Sequence, residues 1–186
     1  MNLPNKITVF RFCLIPVFAV AFLMELVFPE NKQLVDYIAL AIYAVASISD
    51  FFDGYLARKN NEVTDFGKLM DPLADKMLVA TAMICFVQLR DNFPCWCAVV
   101  VVAREFIISG FRQLAAEKKT IIMASYWGKV KTVVSMIMCI LYILDWQYRW
   151  FNISETVFMW AATALTVISL ADYLVKNWHV MREASK

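Results

Sequence analysis

Apolar residues run through this chain in long blocks separated by short polar breaks, and the length of the blocks sets the expected elements. Six windows each hold about 20 largely apolar residues, the length an α-helix needs to cross a bilayer. They run from about Ile7 to Phe28, Leu34 to Arg58, Gly67 to Leu89, Pro94 to Ala116, Tyr126 to Leu144 and Ser154 to Trp178. Such runs lack the two-residue alternation of a membrane barrel, so helices are the expected elements. Ahead of the first window, Asn2-Leu3-Pro4-Asn5 predicts an interfacial turn or short helix. The breaks on one side are Pro29 to Gln33, Arg90 to Phe93 and Asp145 to Ile153; those on the other, Lys59 to Phe66 and Glu117 to Ser125, carry most of the loop charge. With no internal repeat and no low-complexity segment, the expectation is an all-α integral membrane protein. It is a six-transmembrane-helix bundle, one domain over residues 1–186, held by helix packing in lipid.

Composition agrees: 61% of the 186 residues are hydrophobic, against about half in soluble domains. Lys6, Arg11 and the tripeptide Ala19-Val20-Ala21 imitate a cleavable signal, but the tripeptide lies in the middle of the first run and five further spans follow, which predicts an uncleaved helix. A net charge of +2 argues against nucleic acid as a partner. The placement of charge says more. Of the 18 lysines and arginines, all but Lys32, Arg90 and Arg149 fall on the side that holds both termini. The positive-inside rule therefore puts both termini in the cytosol. Trp146, Tyr148, Trp150 and Phe151 then form an outer aromatic belt, with Tyr126, Trp127 and Trp178 at the inner face. Cys13, Cys85, Cys95, Cys97 and Cys139 are scattered through apolar surroundings without a CxxC pair, as small hydrophobes would be.

Against this background the stretch Ser49 to Lys76 is unusually acidic. Asp50 and Asp53 share a face at the inner end of the second span, and Asp71 and Asp75 share one at the start of the third. At about 1.5 Å per residue, Asp50 lies roughly 12 Å before Arg58 and Asp75 roughly 12 Å after Gly67. An ionisable residue at that depth points to function. Asp65 and Glu62 read instead as ordinary surface acids near a helix start. Four neighbouring carboxylates repel unless cations compensate, and an all-oxygen cluster suits Mg²⁺ or Mn²⁺. Two such ions form a clamp that recurs in displacements at phosphorus. Gly54 lets a ligand approach the helix backbone, Ala57 keeps the same wall low, Arg58 offers a fork to a phosphate or diphosphate, and Gly67 removes bulk where the third helix starts.

The pattern Asp50-x2-Asp53-Gly54-x2-Ala57-Arg58-x8-Gly67-x3-Asp71-x3-Asp75 resembles, without gap or substitution, the signature of the CDP-alcohol phosphatidyltransferase family. The resemblance implies a six-helix membrane fold, a homodimer, a dinuclear metal site on the cytosolic side, and displacement of CMP from a CDP-linked lipid by an alcohol. It implies that Asp50, Asp53 and Asp71 are metal ligands and that Asp75 is a metal ligand or the base for the hydroxyl proton, with Asp71 and Asp75 the catalytic pair. It implies nucleotide and diphosphate contacts from Gly54, Ala57, Arg58 and Gly67.

For the acceptor, Glu105, Ser109 and Arg112 recur on one face of the fourth span with Arg104 deeper, while Lys129 and Lys131 open the fifth beside Gly128. Arg104, Arg112, Lys129 and Lys131 together suit a doubly charged phosphate, with Glu105 orienting an arginine; the lysines also read as inner-surface anchors. The segments NLPNKITVFR, REFIISGFR and GKVKT are similar to those of a subfamily, the bacterial phosphatidylglycerophosphate synthases. That similarity implies CDP-diacylglycerol as donor, sn-glycerol 3-phosphate as acceptor and a bacterial cytoplasmic membrane. It makes Thr8 a CDP-lipid contact, although Thr8 and Arg11 by themselves read as a helix start and an inner anchor. Two alternatives stay open: a sister enzyme using serine, inositol phosphate or phosphatidylglycerol, and an ion transporter. A conduction path needs polar groups through the full depth, and the outer halves of the spans offer only Glu25, Asp172 and scattered Ser and Thr.

Overall fold

The structure, a computed structural model, describes residues 3–59, 65–117 and 126–177, with side chains described for 5–49, 70, 73–113 and 126–177. Helices α1 (Leu3–Leu23), α2 (Lys32–Lys59), α3 (Asp65–Leu89), α4 (Cys95–Glu117), α5 (Tyr126–Leu144) and α6 (Arg149–Lys176) occupy the six predicted windows. Short 3-10 turns at Met24–Leu26 and Pro29–Asn31 join α1 to α2. There is no strand among the described residues. The described residues form six α-helices, and the protein is an all-α, multi-pass membrane protein.

Two helix starts differ from expectation. Leu3, Pro4 and Asn5 belong to α1 itself, which begins at Leu3 with Pro4 in its first turn, where a missing N–H costs no intrahelical bond. Helix α6 begins at Arg149 rather than Ser154, so the connection before it is only Asp145–Tyr148. The N–H groups of Phe151 and Asn152 both donate to the Tyr148 carbonyl, at 2.8 and 3.1 Å. Hydropathy marks where a helix meets lipid; the polar Arg149, Asn152 and Ser154 continue the same helix beyond that limit. Asp145 ends α5 at φ 39°, a left-handed conformation that Asp tolerates better than most side chains.

Hydroxyl groups within the helices turn back on their own backbone, as for Ser49 to Val45 O, Thr132 to Gly128 O, Ser154 to Trp150 O and Thr156 to Asn152 O. That satisfies the group where no water is at hand. Val20, Ile84, Phe106 and Val175 are 64–79% exposed. In water such positions would be a liability, but against acyl chains they are solvated. Four helical stretches, Asn5–Leu26, Pro29–Ser49, Tyr126–Leu144 and Arg149–Lys176, are apolar enough to cross a bilayer by length and composition. Helices α3 and α4 are long enough too, but they carry Asp71, Asp75 and Lys76 or Arg104, Glu105 and Arg112 within their runs.

The chain forms two compact units. The first comprises Met1–Asp91 with Cys139–Trp146, and the second Asn92–Met138 with Gln147–Lys186. In the first, α1 packs on α2 and α3. A run of aromatic rings, Phe22–Phe18–Tyr43 on one branch and Phe22–Phe86–Tyr142 on the other, fills its core at centroid spacings of 5.4–5.9 Å. At the end of this unit reached by the last turns of α3 and α5, the buried Arg90 donates to Glu25 at 2.8 and 2.9 Å, to Asp36 at 2.8 Å and to the Tyr142 carbonyl at 2.9 Å. Lys32 joins Asp145 to this group. Glu25, one of the few acids an ion path could have used, is thus committed to structural ion pairs. In the second unit α4 packs on α6 through Trp96–Trp160 and Phe111–Tyr173 ring contacts and a Cys97–Thr163 contact of 3.1 Å, and Asn92, just ahead of α4, donates to Glu155 at 2.9 Å. All five cysteines are free, and Cys85, Cys97 and Cys139 are buried as small hydrophobes.

Candidate functional site

The acidic signature falls on the two packed helices of the first unit. Asp50, Asp53, Gly54, Ala57 and Arg58 lie in the last turns of α2, and Gly67, Asp71 and Asp75 in the first half of α3. Because both stretches are helical, the i,i+3 pair on α2 and the i,i+4 pair on α3 each occupy one face, as the spacing predicts. The side chains of Asp50, Asp53, Ala57, Arg58 and Asp71, and the surroundings of Gly54 and Gly67, lie outside the described residues. Asp75 is described: it is partly exposed, flanked on its helix by the fully buried Ala74 and the buried Leu78, and within electrostatic reach of the Tyr43 phenol on α2. Tyr43 precedes Asp50 by seven residues, two helical turns on the same stripe. Asp75 therefore lies on the side of α3 that faces the acid-bearing stripe of α2.

The donor set fits a divalent metal by its chemistry. Four carboxylates supply hard oxygen ligands of the kind Mg²⁺ and Mn²⁺ prefer. The other carboxylates of the first unit with described pairing, Glu25, Asp36 and Asp145, are engaged by Arg90 and Lys32. No group of three or more candidate metal-binding side chains occurs among the described residues, so the fit rests on Asp50, Asp53, Asp71 and Asp75.

A second charged cluster lies in the second unit, on α4, α5 and α6. Arg104 is 8% exposed and Lys131 3% exposed, and both donate to one oxygen of Glu105: Arg104 Nη1 at 2.8 Å and Lys131 Nζ at 2.5 Å. Arg104 Nη2 donates to the Ser169 hydroxyl oxygen at 3.0 Å. Among the described residues, two cations share this one carboxylate in a poorly hydrated place, an arrangement that favours an anion to meet them. Arg104 Nε is buried and has no hydrogen-bond partner among the described residues. Gly128 lies beside Arg104: a Cβ there would stand in ordinary van der Waals contact with Nη2, at 3.5 Å.

The structure therefore brings together Arg104, Glu105 and Lys131, while Arg112 and Lys129 are exposed. Positions 129 and 131 lie about 200° apart around a helix, so directing Lys131 inward turns Lys129 outward. Thr8 and Arg11 are both buried, at 1% and 0% exposure. Arg11 is thus not the interfacial anchor that its position near the chain start suggested, because α1 begins two turns earlier and carries it into the packed interior. Ser169 was not foreseen; the one sign of it is the spacing Thr163, Thr166, Ser169, a polar stripe at helical intervals along an otherwise apolar α6.

Comparison with known proteins agrees with the signature. Residues 1–168 match the family model described as CDP-alcohol phosphatidyltransferase. A Bacillus subtilis protein named CDP-diacylglycerol–glycerol-3-phosphate 3-phosphatidyltransferase is 36% identical over 99% of both chains. Proteins of the same name from Rickettsia felis and Escherichia coli are 37% and 35% identical, over 92% and 93% of this chain and 93% of their own. Carrying the family's complete acid signature in helical register and matching its model over most of its length, this chain belongs to the CDP-alcohol phosphatidyltransferase family.

Proposed function

We propose that the protein transfers a phosphatidyl group from CDP-diacylglycerol to sn-glycerol 3-phosphate, giving phosphatidylglycerophosphate and CMP. The observation that carries this reading is the uninterrupted acid signature set in register on α2 and α3. The relatives' shared name and the buried Arg104–Glu105–Lys131 group support the phosphate-bearing acceptor. Dependence on a divalent metal is general in the family. Here Asp50, Asp53, Asp71 and Asp75 would hold two ions, Mg²⁺ or Mn²⁺, which would supply charge neutralisation for displacement at phosphorus.

The chain's own residues do the rest. Gly54, Ala57 and Gly67 leave room for the nucleotide, Arg58 meets the diphosphate, and Thr8 contacts the CDP-lipid. Arg104 and Lys131 bind the acceptor phosphate as charge-assisted donors, with Arg112 and Lys129 drawing the dianion in from the exposed side. Asp75 accepts the proton of the acceptor hydroxyl as its oxygen bonds to the lipid-bearing phosphorus, and the bond from that phosphorus to the oxygen of CMP breaks, CMP leaving with the electron pair. Asp71 completes the pair that carries the step. The protein works as a homodimer in a bacterial cytoplasmic membrane with both termini and the site in the cytosol.

An acceptor panel tests the reading. Detergent-purified protein is given labelled CDP-diacylglycerol, Mg²⁺ or Mn²⁺, and glycerol 3-phosphate, serine, inositol phosphate or phosphatidylglycerol. CMP release and a lipid phosphomonoester are expected with glycerol 3-phosphate alone, and none with chelator. Faster turnover with another acceptor would assign the protein to a sister activity.

A further inference from the structure

We propose that Ser169 is a positioning residue for the acceptor phosphate, holding the Arg104 guanidinium at the angle at which its free donors meet the anion. This rests on the reading of Arg104 and Lys131 as the acceptor-phosphate site. Arg104 is anchored at both terminal nitrogens: Nη1 donates to Glu105 on its own helix and Nη2 to Ser169 on α6. The Ser169 hydroxyl donates in turn to the Thr166 carbonyl at 3.0 Å, so its lone pairs are left for the arginine. Ser169 is fully buried, and its serine side chain is short, so the acceptor oxygen stays within a narrow arc. The two anchors fix the plane of the guanidinium; Nε and one N–H on each terminal nitrogen remain as donors. One of these, Nε, is buried without a partner among the described residues.

The alternative, that Ser169 merely caps its own helix as Thr163 and Thr166 do, leaves the Arg104 contact incidental. Thr163 and Thr166 donate to carbonyls four residues back, at 2.9 and 2.7 Å, whereas Ser169 donates three residues back, to Thr166. Glu105 alone would hold the guanidinium at one corner and let it pivot. An arginine that pivots still attracts a dianion but meets it in the right plane only part of the time, which weakens binding without touching the chemistry.

The test is a double-mutant cycle on Ser169→Ala and Arg104→Lys in the purified full-length protein, reading kcat and KM for both substrates and the thermal midpoint. Loss of a hydrogen bond to a charged group predicts about a 10-fold rise in the KM for glycerol 3-phosphate in Ser169→Ala. The kcat, the KM for CDP-diacylglycerol and the thermal midpoint stay near wild type. In the Arg104→Lys background, where the planar fork is gone, Ser169→Ala should change the acceptor KM by less than about 2-fold. An unchanged acceptor KM in Ser169→Ala, a parallel loss in both substrates with a lowered midpoint, or additive effects in the double variant would each overturn the inference. Should Arg104→Lys itself leave the acceptor KM unchanged, the acceptor-site reading fails first and the role of Ser169 with it.

Discussion

At the scale of single residues, the chain is governed by the cost of placing charge where water is scarce. Asp50 and Asp75 stand about two turns inside apolar runs, so their presence in the sequence already required a partner for them. Arg104 was conspicuous for the same reason. Ser169 was not, because a hydroxyl in an apolar helix defaults to bonding its own backbone, as Thr163 and Thr166 do. Only the approach of Arg104 from α4 distinguishes it. Asp75 carries the sharpest prediction. Replacing it with asparagine keeps the volume and one oxygen but removes both the charge and the basic site. CMP release should fall by about 10² to 10⁴-fold, with the helical circular dichroism and thermal midpoint unchanged. Wild-type turnover in well-folded Asp75→Asn protein would remove Asp75 from the reaction.

At the scale of elements, hydropathy predicted where helices cross lipid but not where they begin. The polar Arg149 and Asn152 hid the first turn of α6, and Pro4 looked like a turn although a proline is welcome at a helix start. Nor did the linear pattern show that Glu25, Asp36 and Arg90, scattered at the ends of α1, α2 and α3, converge. Their ion cluster, with Arg90 also lying 5.1 Å from the centre of the Phe22 ring, fastens these helices at one end of the first unit. Removing the shared cation would strand the buried Asp36 and leave Glu25 with Lys32 alone. Arg90→Ala should therefore cost about 3–5 kcal/mol of stability, read as a large fall in the thermal midpoint in detergent. A shift within error would mean that the carboxylates find other partners.

At the scale of the whole molecule, lipid rather than water solvates most of the outer apolar surface, and that one fact accounts for the composition, the exposed valines and phenylalanines and the inward-turned hydroxyls. The candidate site was legible because it breaks this rule. Acids, glycines and a basic fork interrupt apolar helices at fixed intervals, and the helical period places them without reference to any contact. The charged cluster proposed for the acceptor was only half legible, since spacing identifies which residues share a helix face but not which of Lys129 and Lys131 turns inward. The account as a whole stands on the carboxylates of α2 and α3 acting as one metal-binding group. Anomalous scattering from crystals grown with Mn²⁺ measures this most directly. Two peaks within ligand distance of Asp50, Asp53, Asp71 and Asp75 are expected, and no peak there, with the four side chains turned toward separate protein neighbours, would contradict it.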